Sequence, residues 1–201
     1  LVGSEMCIRD RNIKNSGDGK VLATLCFDNN NIDVEIPAIG TYMITNALAA
    51  AAAGKLLGLT DEEIANGVAS YKTVGSRANV INTGKIKIID DCYNANPTSV
   101  RASLDTLSNL DGRKVAILGD MKELGSEELK LHFDTGVYAK SKGIGTVITV
   151  GELAKALAKG ADGKAFDTIE DAKPEILKTI KSGDVVLVKA SHSCLLYTSP
   201  S

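Results

Sequence analysis

The sequence predicts an α/β chain in two parts: a partial domain to about Asn82, then an α/β domain built on a mostly parallel sheet. Three observations carry this. From Lys85 onward, short apolar runs alternate with segments of helical period, the pattern of a parallel sheet covered by helices. Before Lys85, two apolar-rich runs flank a polar turn and lead into an alanine-rich helix with little beside it to cover it. The chain has 201 residues, 44% hydrophobic and 24% charged, enough for one domain or two small ones.

Taken in order, Val21 to Phe27 and Ile32 to Ile36 read as a β-hairpin across Asp28 to Asn31, closed by Pro37 and Gly40. Met43 to Leu57 is apolar almost all round, with Ile44, Leu48, Ala52 and Leu56 in four-residue steps, and reads as a buried helix stopped by Gly58. Thr60 and Glu63 have the spacing of a capping box for a second helix, with Ile64 and Val68 on its apolar stripe. A loop, Thr73 to Ala78, carries Gly75, Ser76 and Arg77. Ile86, Ile88 and Ile89 form a strand ending at Asp90-Asp91. Pro97 opens a helix lined by Val100, Leu104 and Leu107. Asp111-Gly112 turns into the strand Val115 to Leu118. A helix from about Ser126 to Lys140 spaces Leu129, Phe133 and Val137 by fours. Thr146 to Val150 is a strand, Leu153 to Lys159 a helix, Ala172 to Lys181 another, and Val185 to Val188 the last strand. Residues 1–11 and 194–201 match nothing around them and look like non-native read-through at the edges of an assembled fragment; natural disordered ends are the alternative. Both stretches are expected to lie outside the fold.

Composition excludes several classes. A net charge of -2 gives no basic surface for nucleic acid. No apolar run approaches the roughly 20 residues that span a bilayer. The cysteines, Cys7, Cys26, Cys92 and Cys194, form no C-x-x-C pair, and the histidines are only His132 and His192, so neither a disulfide framework nor a multi-histidine metal site is indicated. A reducing cytoplasm fits this usage. There is no phosphate-loop motif and no G-x-G-x-x-G after a strand.

Ligands of an open parallel sheet bind at the carboxyl ends of its strands. Segments 90–97, 119–125 and 189–192 reach that edge. Asp91 there can accept hydrogen bonds from a ribose, Asn94 and Asn96 offer donors and acceptors together, and Lys189 can hold a phosphate or carboxylate as a point charge. Arg77, in a glycine-flanked loop, would be an anion clamp beside a nucleotide. Plain roles fit as well: Asp91 and Asn96 as turn or cap residues, Asp120 as a cap, Glu123 as a surface charge, Lys189 as a strand-end lysine, His132 as a packing or capping residue.

Together these segments resemble the Mur ligase family. The run Gly40 to Ala50 is similar to the family's G-x-H-[NM]-x-x-N-x-x-A-A helix, and Gly75-Ser76-Arg77 to the G-R loop after it. DDCYNANPTS at 90–99, LGDMKELG at 118–125 and VLVKASH at 186–192 resemble the family member that adds D-alanyl-D-alanine. The resemblance covers Val21 to Ser193. It implies that 12–82 is the tail of the central ATP-binding domain and that 83–193 is a truncated, Rossmann-like C-terminal domain. It implies ATP and Mg2+ as cofactors, with the phosphate-loop lysine and the magnesium ligands outside this chain, so that the fragment alone is inactive. It implies UDP-N-acetylmuramoyl-tripeptide, D-alanyl-D-alanine and ATP as small-molecule substrates, amide formation through an acyl phosphate, and a cytoplasmic bacterial monomer. Carried over residue by residue, Asn46 matches the asparagine near the adenine. Arg77 and Asp91 match the arginine and aspartate that meet ATP. Tyr93, Asn94, Asn96 and Pro97 lie in a loop that shapes the nucleotide or dipeptide pocket. Asp120, Lys189 and His192 are further candidates. Tyr42 stands where the family commonly has histidine, and Lys-Ala-Ser-His replaces the frequent Lys-Gly-Ser-Arg. Two alternatives stay open: a sister ligase of the Mur or folylpolyglutamate type, and a non-catalytic α/β nucleotide-binding module.

Overall fold

A computed structural model describes residues 8–15, 19–27, 30–72 and 77–191. The chain divides between residues 73 and 74 into two compact units.

The first unit opens with an antiparallel meander, β1 (Arg9–Asn15), β2 (Val21–Phe27) and β3 (Asn30–Ile36). The hairpin of β2 and β3 is the one read from the sequence, Val21 pairing with Ile36 and Phe27 with Asn30. Residues 9–11, set aside in the sequence reading, pair with Thr24, Leu25 and Cys26, so the fold includes them. Backbone pairing asks for no side-chain pattern, which is why periodicity missed them. Period-2 alternation points Val21, Ala23, Leu25, Ile32, Val34 and Ile36 to one face. That face packs against α1 (Met43–Leu56) and α2 (Asp61–Ala69) through Ile44, Ala47, Ala51 and Ile64. The capping box of α2 is formed: the Glu63 amide donates to Thr60 Oγ1, and the Thr60 amide donates to Glu63 Oε2. Gly58 ends α1, with the Leu59 amide donating back to the Gly54 carbonyl.

One expectation for α1 is corrected. Among the described residues it buries one face, Ile44, Ala47, Ala51 and Gly54, while Leu56 and Leu57 are exposed. Four-residue steps drift about 40° each around a helix of 3.6 residues per turn. The 44-48-52-56 series therefore leaves the core, and the 44-47-51-54 series stays on it.

The second unit holds a six-stranded sheet in the order β4-β5-β9-β6-β7-β8. Its strands are β4 (Asn79–Asn82), β5 (Lys87–Asp90), β6 (Arg113–Gly119), β7 (Thr146–Val150), β8 (Lys164–Phe166) and β9 (Asp184–Lys189). All neighbours are parallel except β4, which runs antiparallel to β5. The sheet thus takes in β4, which the sequence reading left before its boundary at Asn82. Four mostly exposed residues with asparagine at both ends give no apolar run to detect. The helices are α3 (Pro97–Ser108), α4 (Glu128–Ser141), α5 (Ala154–Ala161) and α6 (Ile169–Thr179). Asn96 caps α3 and Pro97 is its first residue; Val100, Leu104 and Leu107 are buried along it. Ile176 and Ile180, in and just after α6, pack on Val115, Ile117 and Val186 of the sheet.

Leu129, Phe133 and Val137 lie on the exposed side of α4; its buried side is His132, Thr135, Gly136 and Ala139. The reason is the crossing with α5. A methyl group on Gly136 would overlap the Leu157 carbonyl oxygen, and one on Gly160 would overlap that of Phe133. Helices this close need small residues at the contact, so the buried face looks polar in the sequence.

Candidate functional site

The carboxyl end of β5 carries the loop 91–96, and its centre is Asp91. Its Oδ1 accepts the Ala78 amide at 3.1 Å. Its Oδ2 accepts the Ser103 hydroxyl at 2.7 Å and the Lys189 ammonium at 2.6 Å. Three separate segments therefore meet on one carboxylate: the stretch before β4, helix α3 and the end of β9. Lys189 also donates to the Asn94 carbonyl at 2.9 Å, and its side chain is 3% exposed against 14% for Asp91. The side chains of Tyr93, Asn94 and Asn96 face solvent. The Arg77 guanidinium lies over the Tyr93 ring, its Cζ 3.7 Å from the ring centroid. Such a stack is worth about 0.5–2 kcal/mol and holds a long cationic side chain near one place. Asn96 Oδ1 accepts the Ser99 amide at 2.8 Å, the cap of α3.

Cys92 sits inside this loop but has no part in nucleophilic chemistry. It is buried, its thiol faces the Val188 carbonyl, and burial first, then the charges of Asp90 and Asp91, push its pKa up to about 12. It stays protonated near neutral pH.

The next strand end is tied to the first. Asp120, after β6, accepts the Ala154 amide on Oδ1 at 2.8 Å, which satisfies a free donor at the start of α5. Its Oδ2 pairs with Lys122 at 2.9 Å. Its carbonyl accepts the Ser191 amide at 3.2 Å. The Ser191 hydroxyl accepts the Lys122 amide and donates to the Ala95 carbonyl at 3.4 Å. Fully buried His132 accepts the Met121 amide on Nε2 at 2.9 Å, while Nδ1–H donates to the Glu128 carbonyl at 2.7 Å. That pair of bonds assigns the Nδ1–H tautomer. His132 braces the loop and does not face a ligand.

The second unit thus gathers Arg77, Asp91, Tyr93, Asn94, Asn96, Pro97, Asp120 and Lys189 along one sheet edge. Asn46 belongs to the first unit, exposed on α1, where its Nδ2 lies 3.5 Å from the Met43 sulfur. His192, Gly75 and Ser76 lie outside the described residues. Sequence reasoning placed Ser191 at this edge within segment 189–192 without a role, and missed Ser103. Ser103 had a signal, a small polar residue inside the apolar stripe 100-104-107. Among the described residues, no group of three His, Cys, Asp or Glu side chains could hold a metal ion.

Comparison with known proteins bears on this edge directly. The family model described as Mur ligase, glutamate ligase domain, matches residues 76–192, more than half of the chain. The chain belongs to the Mur ligase family. A relative from Bacillus subtilis (strain 168), named UDP-N-acetylmuramoyl-tripeptide--D-alanyl-D-alanine ligase, is 36% identical over 172 residues, which cover 80% of this chain and 37% of the relative. A crystal structure of MurF from Acinetobacter baumannii superposes with a TM-score of 0.88 at 29% identity, covering 95% of this chain and 43% of that one. The MurF ligase of Thermotoga maritima, solved in complex with ADP, superposes with a TM-score of 0.83 at 26% identity, covering 94% and 44%. The chain therefore spans about two-fifths of the length of these Mur ligases. The fold class read from the sequence, an α/β chain with a mostly parallel sheet and a Mur ligase C-terminal domain, is the one found.

Proposed function

We propose that this chain is part of the ATP-dependent ligase that joins D-alanyl-D-alanine to UDP-N-acetylmuramoyl-tripeptide, and that the loop 91–96 meets the nucleotide. The observation that carries the reading is the Arg77–Tyr93 stack beside Asp91, at the sheet edge where parallel folds bind ligands. In the proposed reaction, the tripeptide carboxylate attacks the γ-phosphate of ATP, releasing ADP and forming an acyl phosphate. The amine of D-alanyl-D-alanine then adds to the acyl carbon, and phosphate leaves. The residues of this unit position and stabilise charge. Asp91 Oδ1, which accepts one amide hydrogen, has a second acceptor direction for a ribose hydroxyl. The stacked Arg77 offsets phosphate charge, and Tyr93, Asn94 and Pro97 shape the wall. Asn46 is assigned to the adenine, and Asp120 to bracing the neighbouring loop.

Under the same reading, the unit that ends at residue 73 belongs to the central ATP-binding domain and the unit that starts at residue 74 is the C-terminal domain. No helix of the described residues is long and apolar enough to cross a membrane. A cytoplasmic monomer is proposed. Magnesium is proposed as the second cofactor of the parent ligase, held by ligands outside this chain. The 201 residues contain no phosphate-loop lysine motif, so the purified chain is expected to show no ATP turnover.

Titration of ADP into the chain, followed by amide chemical shifts, tests the site. The expected shifts cluster at 77–78 and 91–96 and weaken in Arg77→Ala. Shifts confined to other strand ends, or none at millimolar ADP, would sink the nucleotide reading. Robust ATP turnover by the pure chain would overturn the expected inactivity.

A further inference from the structure

We infer that Lys189 is a positioning residue that sets the shape of the 91–96 loop and does not itself contact a ligand; only the functional consequence of this rests on the nucleotide reading above. An ammonium has three hydrogens. Three oxygens surround this one: Asp91 Oδ2 at 2.6 Å, the Asn94 carbonyl at 2.9 Å and the Asp91 carbonyl at 3.4 Å. With 3% of the side chain exposed, no donor is left over and no path leads outward to a phosphate.

The geometry of the loop follows from these bonds. Lys189 draws the Asn94 carbonyl inward, and the Tyr93 and Asn94 side chains are left facing solvent. The same strand end fixes the far side of the loop, where the Ser191 hydroxyl donates to the Ala95 carbonyl. Asp91 is the counter-charge that a buried ammonium requires. It is itself held from two further sides, by the Ser103 hydroxyl and the Ala78 amide. Lys189 therefore acts through Asp91 and Asn94 on the exposed side chains of the loop.

Backbone hydrogen exchange on the 201-residue chain tests this with Lys189→Met, Asp91→Asn and the double variant. Lys189→Met is expected to speed exchange at Tyr93, Asn94 and Ala95 at least tenfold while β6 and β7 stay protected. The double variant is expected to recover part of that protection, because neutralising Asp91 removes the carboxylate left unpaired; a lysine that merely fills space would show no such rescue. An unchanged loop in folded Lys189→Met, or strictly additive effects, overturns the assignment. If Lys189→Met does not fold, folding restored in the double variant supports it. If neither folds, Lys189→Arg decides, since a planar fork cannot reach three oxygens set for an ammonium: a loosened loop supports the role and an unaltered loop overturns it. ADP titration of the same variants separates the two proposals. A loosened loop with ADP affinity down about tenfold supports both. A loosened loop with unaltered ADP affinity keeps the positioning role and sinks the nucleotide reading.

Discussion

Lys189 and Arg113 use a positive charge in opposite settings. Lys189 is enclosed and organises a loop. Arg113 is 42% exposed, yet it holds buried Asp184 through Nε to Oδ1 at 2.8 Å and Nη2 to Oδ2 at 2.5 Å. The hydrogen bonds from Arg113, aided by the Lys181 amide, lower the Asp184 pKa against the opposing effect of burial. A carboxylate with a lowered folded-state pKa stabilises the fold above its unfolded value, near 4. That contribution is lost as pH falls through the folded value. Arg113→Gln is expected to cost about 1–2 kcal/mol near neutral pH, kept small by solvent screening of the exposed guanidinium. The gap from the parent chain should close below about pH 4 in urea titrations; a gap independent of pH would refute the pairing. At this scale the sequence was informative about place and silent about partners. Asp91 and Lys189 could both be set on the ligand edge from strand–loop order. Their bond joins residues 98 apart, and nothing in either local stretch announces it.

Among the elements, helix starts were legible where spacing marks a cap, whereas α6 begins at Ile169 under the Thr168 cap, three residues before the Ala172 expected from the sequence. Thr60 with Glu63, and Asn96 with Pro97, stand where spacing put them. Helix faces were less legible, because the neighbour decides them. The α4–α5 crossing buries Gly136 and Thr135 and leaves Phe133 partly exposed, against any hydrophobicity scale. Gly136→Ala tests the crossing. Alanine favours an isolated helix by up to about 1 kcal/mol. Here its methyl meets the Leu157 carbonyl, so a net loss of about 1–3 kcal/mol is expected in the urea midpoint. A stabilised variant would show that the helices do not approach this closely. Short strands were the least legible: β4 and β8 have four and three residues, and tertiary pairing alone makes them strands.

For the molecule as a whole, each unit owns a core. The first is closed by the meander and two helices, and the second by the sheet and α3 to α6. Residues 77–191 expressed alone are expected to unfold in one cooperative transition; a broad, non-cooperative melt would mean that the core described for this unit is incomplete. The α/β class was legible from alternation, but the strand order was not, since no local signal says that β9 enters between β5 and β6. That insertion has a consequence during synthesis. A ribosome delivers β4 and β5, then β6 to β8, long before the strand that joins them. Until β9 emerges, β5 and β6 each present an open row of amides and carbonyls. Neighbouring nascent chains on one messenger could pair through those rows. The sheet is therefore most exposed to aggregation in the interval before residue 184 leaves the exit tunnel, and a translational pause within that interval should lower the soluble yield more than an equal pause after it.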